Sequence, residues 1–350
     1  MDRFPATDGA APAAGLPLGR DEVRAVVEGR GAARRIPVLL HFWTRPERFG
    51  RRSGEVRALL ERYPQDAQVL LLHMPGVCEG PPGDPAYRWV GIDEPVPSGP
   101  VAIDSRAPLR EWGMLDELLP RFPDPHHRTV LADPQPADGR YRVAGWLSLL
   151  FERHWSLRGM SDALMDFTTN PREVHRLYRA LTDFYLVLIE RARKELDADG
   201  ILTTDDLGTQ GGPFFRAETF REFLAPYYGE LFARAHRFGM HFWLHSCGNI
   251  ASFLPDLIGL GLDVIHPLQR HAMDERALAA LVGGRTCVWA GVDVQQTIPF
   301  GTPEEVRAEV RRLLDAWRRP EGRLLLGAGN MLHEDCGSAN LAALFDEAYR

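Results

Sequence analysis

The chain has 350 residues, 45% of them hydrophobic and 25% charged, a composition that excludes a wholly disordered, collagenous or coiled-coil protein and fits one elaborated domain or two small ones. Forty-one basic against 48 acidic side chains give a formal charge of −7, which repels polyanions, so nucleic acid is not an expected partner. No apolar run approaches the roughly 18 residues of a membrane span, and the Ala-, Gly- and Pro-rich start lacks an apolar secretion core, so a cytoplasmic protein without membrane contact is expected.

Residues 1–19 (MDRFPATDGAAPAAGLPLG) lack apolar periodicity and read as a disordered arm before a single domain over 20–350. Short apolar runs suited to buried parallel strands follow at 36–43, 68–74, 143–146, 200–206, 240–247, 263–267, 286–293 and 323–330. Helical patterns lie between them: 55–61, 172–196, 217–236, 250–258, 275–281, 303–317 and 339–349. The clearest is 172–196, with Val174, Leu177, Tyr178, Leu181, Phe184, Tyr185 and Leu188 at steps of three and four behind Pro171. Strand followed by helix, repeated eight times, predicts an α/β fold, a (β/α)8 TIM barrel. Residues 75–136, broken by PGDP, PVPSGP and PDP turns, read as a long insertion after the second strand that could roof the site.

In a parallel barrel the chemistry sits at the C-terminal strand ends. Here those ends are polar: His73, then Asp205 and Asp206, His245 and Cys247, His266, and Asn330. In HSCGN (245–249) residues two apart on a strand share a face, so His245 and Cys247 can grip one soft ion such as zinc, and the next glycine permits a tight exit. The bland alternative is a buried histidine beside a buried thiol. Asp205 and Asp206 read either as one helix cap and one solvated carboxylate, or as a pair of which one faces the barrel axis for proton transfer, substrate or metal. His266 reads as a core histidine or a third metal ligand. His126 and His127 read as solvated. Cys78 and Cys287 read as plain thiols, and His333 and Cys336 as reserve ligands. Phe42, Trp43, Trp146, Trp155, Phe214 and Phe215 either wall a ligand or fill the core. The expected catalytic groups are Asp205, Asp206 and His245. The expected substrate contacts are Trp43, Trp146, Gln210, Gln269 and Asn330.

WLSLLFERHWSLRGMSDALMDF (146–167), TDDLGTQGGP (204–213), HSCGNIASFLPDLIGLGLDVIHPLQ (245–269) and PFGTPEEVRAEVRRLLDA (299–316) resemble the uroporphyrinogen decarboxylase superfamily. The resemblance implies a barrel and one of two chemistries: cofactor-free porphyrinogen decarboxylation, or zinc-dependent methyl transfer from a corrinoid protein to a thiol or folate-type acceptor. It also implies a possible homodimer. The decarboxylases' arginine-rich carboxylate clamp is not reproduced in HFWTRPERFG, where only Arg45 and Arg48 stand near it. The methyltransferases' zinc is held by a histidine and cysteine like His245 and Cys247 and by a further cysteine whose position falls on Asn330 when counted back from DCGSAN (335–340). The expectation is therefore zinc-dependent methyl or alkyl transfer to a small thiol or related acceptor. No corrinoid-binding D-x-H-x-x-G motif occurs in the chain, so a methyl-bearing corrinoid would sit on a separate protein. Metal-free decarboxylation of a carboxylated pyrrolic or aromatic substrate is the alternative, and a non-catalytic ligand-binding barrel the third reading.

Overall fold

A computed structural model describes residues 15–80, 84–90, 107–131 and 135–350. Seven parallel strands form one sheet in sequence order: β1 (Ala67–Leu71), β2 (Tyr141–Trp146), β3 (Gly200–Thr204), β4 (His241–His245), β5 (Val264–His266), β6 (Cys287–Val292) and β7 (Leu324–Ala328). Every residue of β2, β4, β5, β6 and β7 is buried, as expected of parallel strands covered on both faces, which is why they read as continuous apolar runs. The register sets Thr204 opposite His245 and His245 opposite His266. Neighbouring positions on parallel strands face the same way, so these strand ends gather their side chains at one end of the sheet.

The run expected as the first strand, 36–43, contributes only a parallel bridge of Val38 to Leu326 on β7. It stops early because the chain turns at once: Trp43 and Thr44 N–H donate to Leu40 and His41, and the Thr44 hydroxyl closes on the Leu40 carbonyl at 2.8 Å. The expected arm lies outside the described residues up to 14. Its end does not hang free, since Leu18 is fully buried and its N–H donates to Asp66 at 2.9 Å. Between β1 and β2 the described part of 72–140 holds short helical turns, Trp112–Met114, Leu115–Leu118 and Leu119–Arg121. Part of the expected 75–136 insertion falls outside the described residues.

The helix Pro171–Leu196 buries Val174, Leu177, Tyr178, Leu181, Phe184, Tyr185 and Leu188 on one stripe, as its periodicity predicts. The 217–236 pattern is not one regular helix. Ala217–Thr219 and Ala225–Arg237 flank a π-helical turn, Phe220–Leu224. Pro226 stands just past that turn and has no N–H to donate, so the ladder must reset there. The helix Pro303–Trp317 starts at a capping box in which Thr302 and Glu305 satisfy each other's backbone N–H.

Candidate functional site

Beyond β4 the chain turns sharply through Ser246, Cys247 and Gly248. Gly248 has φ +79°, and a Cβ there would stand 2.3 Å from the Gly208 backbone. Glycine is therefore required, and the close approach presses the β4 exit against the loop after β3. That contact brings three groups together. His245 Nε2 lies 3.4 Å from Cys247 Sγ and 3.7 Å from Asp206 Oδ1, which also accepts the Cys247 N–H at 2.8 Å. One ligand atom from each lies within 4.8 Å of the others. Ligand atoms around a tetrahedral zinc, with bonds of about 2.0–2.3 Å, stand roughly 3.3–3.8 Å apart, and both shorter spacings fall in that window.

Burial keeps both donors of the pair neutral in the metal-free protein. Burial first and the Asp206 charge second push the Cys247 thiol up to about 12, so by itself it is protonated and inert at neutral pH. Burial lowers the His245 pKa, keeping a neutral imidazole whose lone pair can serve as a ligand. Asn330 stands beside the cluster, its Nδ2 donating to Cys247 Sγ at 3.4 Å while its Oδ1 accepts the Met331 N–H. Counting from DCGSAN thus reached a position in contact with the thiol.

Asp205 and Asp206, adjacent in sequence, have separate environments. Asp205 is fully buried and accepts the Leu150, Phe151 and Glu152 N–H groups at 3.1, 3.1 and 2.7 Å and the Tyr228 hydroxyl at 2.7 Å. It caps the helix Phe151–Arg158, which has no cap of its own; both of its oxygens accept hydrogen bonds, and it is not one of the clustered groups. Of the pair, Asp206 is the one that joins His245 and Cys247. His266 is also turned away from the cluster: its Nδ1 lies 2.7 Å from His245 Nδ1 and its Nε2 donates to the Ala328 carbonyl at 3.0 Å. With both nitrogens engaged it has no lone pair to offer as a third ligand, and Asp206 stands where that ligand is needed.

A cavity of about 430 Å³ opens over the cluster, lined by Gln210, Phe214, Cys247, Gln269, Arg270 and Asn330 among others. Gln269 braces the turn by accepting the Gly248 N–H at 2.9 Å. Two expected aromatic contacts lie elsewhere. Trp146 is buried flat on Tyr185 under the long helix, ring centroids 5.4 Å apart, and Trp43 is stacked behind the histidines, 4.9 Å from the His266 ring. Neither lines the cavity. A larger cavity of about 630 Å³ lies at the opposite, N-terminal end of the strands, between 32–37 and 315–324, and contains none of the clustered groups.

All four cysteines are thiols. Cys287 is buried within β6, and His333 and Cys336 lie outside the cluster. His73 is exposed. His127 is not solvated as expected, since it stacks on Tyr87 at 4.1 Å and reaches Asp84 at 2.9 Å.

Glu152 was not singled out by the sequence reading, although an acidic residue in the first turn of a helix entering the strand ends is a usable signal. The Thr204 hydroxyl donates to its carboxylate, and burial, then the Asp206 and Asp205 charges, push it up to about 8. Burial likewise raises Asp205 to about 6 despite its four donors. Both acids hold their protons more tightly folded than unfolded, so their contribution to stability is full below their unfolded values and lost as pH rises through the folded ones. Metal-free protein is therefore expected to lose thermal stability progressively from the ordinary carboxylate values, 4.5 and 3.8, up to about pH 8. Glu152→Gln should flatten the part of that slope above about pH 6, and a wild-type slope left intact in this variant would remove Glu152 as its source.

Residues 154–350 match the family model described as uroporphyrinogen decarboxylase (URO-D). Among solved structures, a methyltransferase from Methanosarcina mazei aligns at 17% identity and TM-score 0.50, over 61% of this chain and 59% of its own length. The chain thus spans about three fifths of that protein. Xylanase B from Clostridium stercorarium F9 aligns at 10% identity and TM-score 0.40, over 90% and 88% of the two chains. An endo-beta-1,4-xylanase from Gloeophyllum trabeum aligns at 9% identity and TM-score 0.37, over 58% and 75%. No curated protein matches this chain.

Proposed function

This chain belongs to the uroporphyrinogen decarboxylase family, and from that premise we propose that it is a zinc-dependent transferase that moves a methyl or other alkyl group onto a small thiol or related acceptor. The carrying observation is the convergence of Asp206, His245 and Cys247, whose ligand atoms lie within 4.8 Å of one another, with His245 at tetrahedral-edge spacing from both partners. A catalytic zinc keeps three protein ligands and one open position, and these residues supply N, S and O donors. Zinc held there would supply the Lewis acidity that keeps a thiol substrate as thiolate at neutral pH. Asp206 takes the ligand place that the resemblance assigns to a cysteine at Asn330. The amide of Asn330, already bonded to the Cys247 sulfur, is left to orient the acceptor. Gln210, Gln269 and Phe214 line its approach. Glu152, bonded to the Thr204 hydroxyl behind the strand ends, is held toward its neutral form by burial and by the Asp206 and Asp205 charges.

The runner-up, metal-free decarboxylation, needs cations to bind several carboxylates. Neither Arg45 nor Arg48 lines the cavity, and Arg270, which does, is already bonded to buried Glu309. Among the described residues, then, the cavity lining offers no unengaged arginine, which favours alkyl transfer. The bridge of Val38 to β7 supports reading the sheet as a closed (β/α)8 barrel with its eighth stave reduced to a short segment. The alkyl donor is carried on a separate corrinoid protein.

Elemental analysis of protein purified without chelator tests this reading, with about one zinc per chain expected. In the same measurement Asn330→Cys should tighten zinc binding, because a thiolate replaces a neutral amide beside Cys247. Metal-free wild type with no measurable zinc affinity would overturn the proposal.

A further inference from the structure

Three strands meet in a short hydrogen-bonded chain behind the cluster. His245 ends β4, His266 ends β5 in register with it, and Ala328 ends β7. The order of donors along this chain is fixed by elementary chemistry. A carbonyl oxygen only accepts, so the 3.0 Å contact of His266 Nε2 with Ala328 requires the His266 proton on Nε2. A neutral imidazole then carries a bare lone pair on Nδ1. His266 is 1% exposed, with Trp43 stacked on one face at 4.9 Å and Trp289 at 4.2 Å. Among the described residues no carboxylate bonds it, so a second proton and its charge have nothing to offset their desolvation. The 2.7 Å contact between the two Nδ1 atoms is then a donation from His245 to His266.

We infer that His266 is a positioning residue, which with the Ala328 carbonyl locks His245 as the Nδ1–H tautomer and aims an unprotonated Nε2 at Cys247 and Asp206. This deepens the metal reading of the same site, although the tautomer assignment stands on hydrogen-bond geometry alone. Without the lock, an imidazole is free to carry its proton on Nε2, where it cannot ligate, and each binding event must first move that proton. The sequence reading that treated His266 as either core or ligand missed this third role, in which the residue acts on the site from behind.

The direct test is ¹⁵N–¹H long-range correlation spectroscopy of the metal-free full chain at neutral pH. His245 is expected with its proton on Nδ1 and His266 with its proton on Nε2. Finding the His245 proton on Nε2 overturns the inference with no variant needed. Two variants extend it, with zinc alone as the probe. His266→Phe keeps a ring against Trp43 and Trp289 but removes the acceptor, and should weaken zinc binding by about 10–100-fold, the usual loss for an outer partner of a metal-bound histidine. His266→Gln offers an amide oxygen to His245 and an N–H to Ala328, and should recover most of the affinity. Equal zinc affinity in His266→Phe and wild type overturns the positioning role. The predicted tautomers in a wild type that binds no zinc would uphold this inference and defeat the metal reading, which keeps the two failures distinct.

Discussion

Cys247→Ala is expected to yield protein with little bound zinc and with turnover reduced more than about 100-fold, beyond the loss typical of outer-partner changes, while its melting temperature stays within a few degrees of wild type. The thiol is one of three clustered donors, and its removal leaves a nitrogen and a carboxylate, too few for a catalytic zinc. Folding should tolerate the change. Cys247 lies in a turn at the cavity wall, partly buried, and the Asn330 amide that loses its sulfur acceptor faces the same cavity, where water can replace the bond. His245→Ala should lose zinc as completely but melt lower, because it also empties space beside Trp43 and strips His266 of its donor. Titration of each purified variant with zinc, alongside calorimetry, separates the two effects. Unchanged zinc content in both variants would remove the centre from these residues.

The parts of this molecule legible in its sequence are those whose signal is local. Runs such as 200–206 and 323–330 stand out because strands buried on both faces must be apolar throughout, and β3 and β7 lie within them. His245 and Cys247 were legible as a pair from their two-residue spacing, although β4 ends at His245 and it is the turn through Gly248 that brings the Cys247 sulfur beside it. What stayed hidden depends on partners far along the chain. The backbone N–H groups that occupy Asp205 lie 53 to 55 residues before it and the Tyr228 hydroxyl 23 after it, so the sequence could pose the choice between cap and catalyst without deciding it. His266 stayed open between core histidine and ligand because type and position were visible, while the engagement of both its nitrogens, set by the β4–β5 register and a carbonyl 62 residues away, was not. The 36–43 run failed differently. Its apolar character is real, but the Thr44 bond to Leu40 turns the chain before a ladder can extend.

The two aspartates provide the sharpest division of labour, because a one-residue step should change which property is lost. Asp205→Ala is expected to destabilise the protein by about 3–5 kcal/mol, since it strands three backbone N–H groups and a phenol in a site with no water access. A loss of that size lowers the melting temperature by roughly 4–7 °C in a chain of this length. Asp205→Asn should fall between, because its amide NH2 must face at least one of the N–H donors that the carboxylate accepts. Asp206→Asn should cost less than about 1 kcal/mol, its side chain being 39% exposed, because the amide oxygen can still accept the Cys247 N–H. It should nevertheless lose zinc, since a neutral amide is a poor ligand for a divalent ion. Thermal denaturation and zinc titration of the three variants therefore predict opposite rankings. If Asp206→Asn binds zinc as wild type does, the third ligand is not Asp206. If Asp205→Ala instead folds normally and loses only turnover, the cap assignment is wrong and the carboxylate belongs to the reaction.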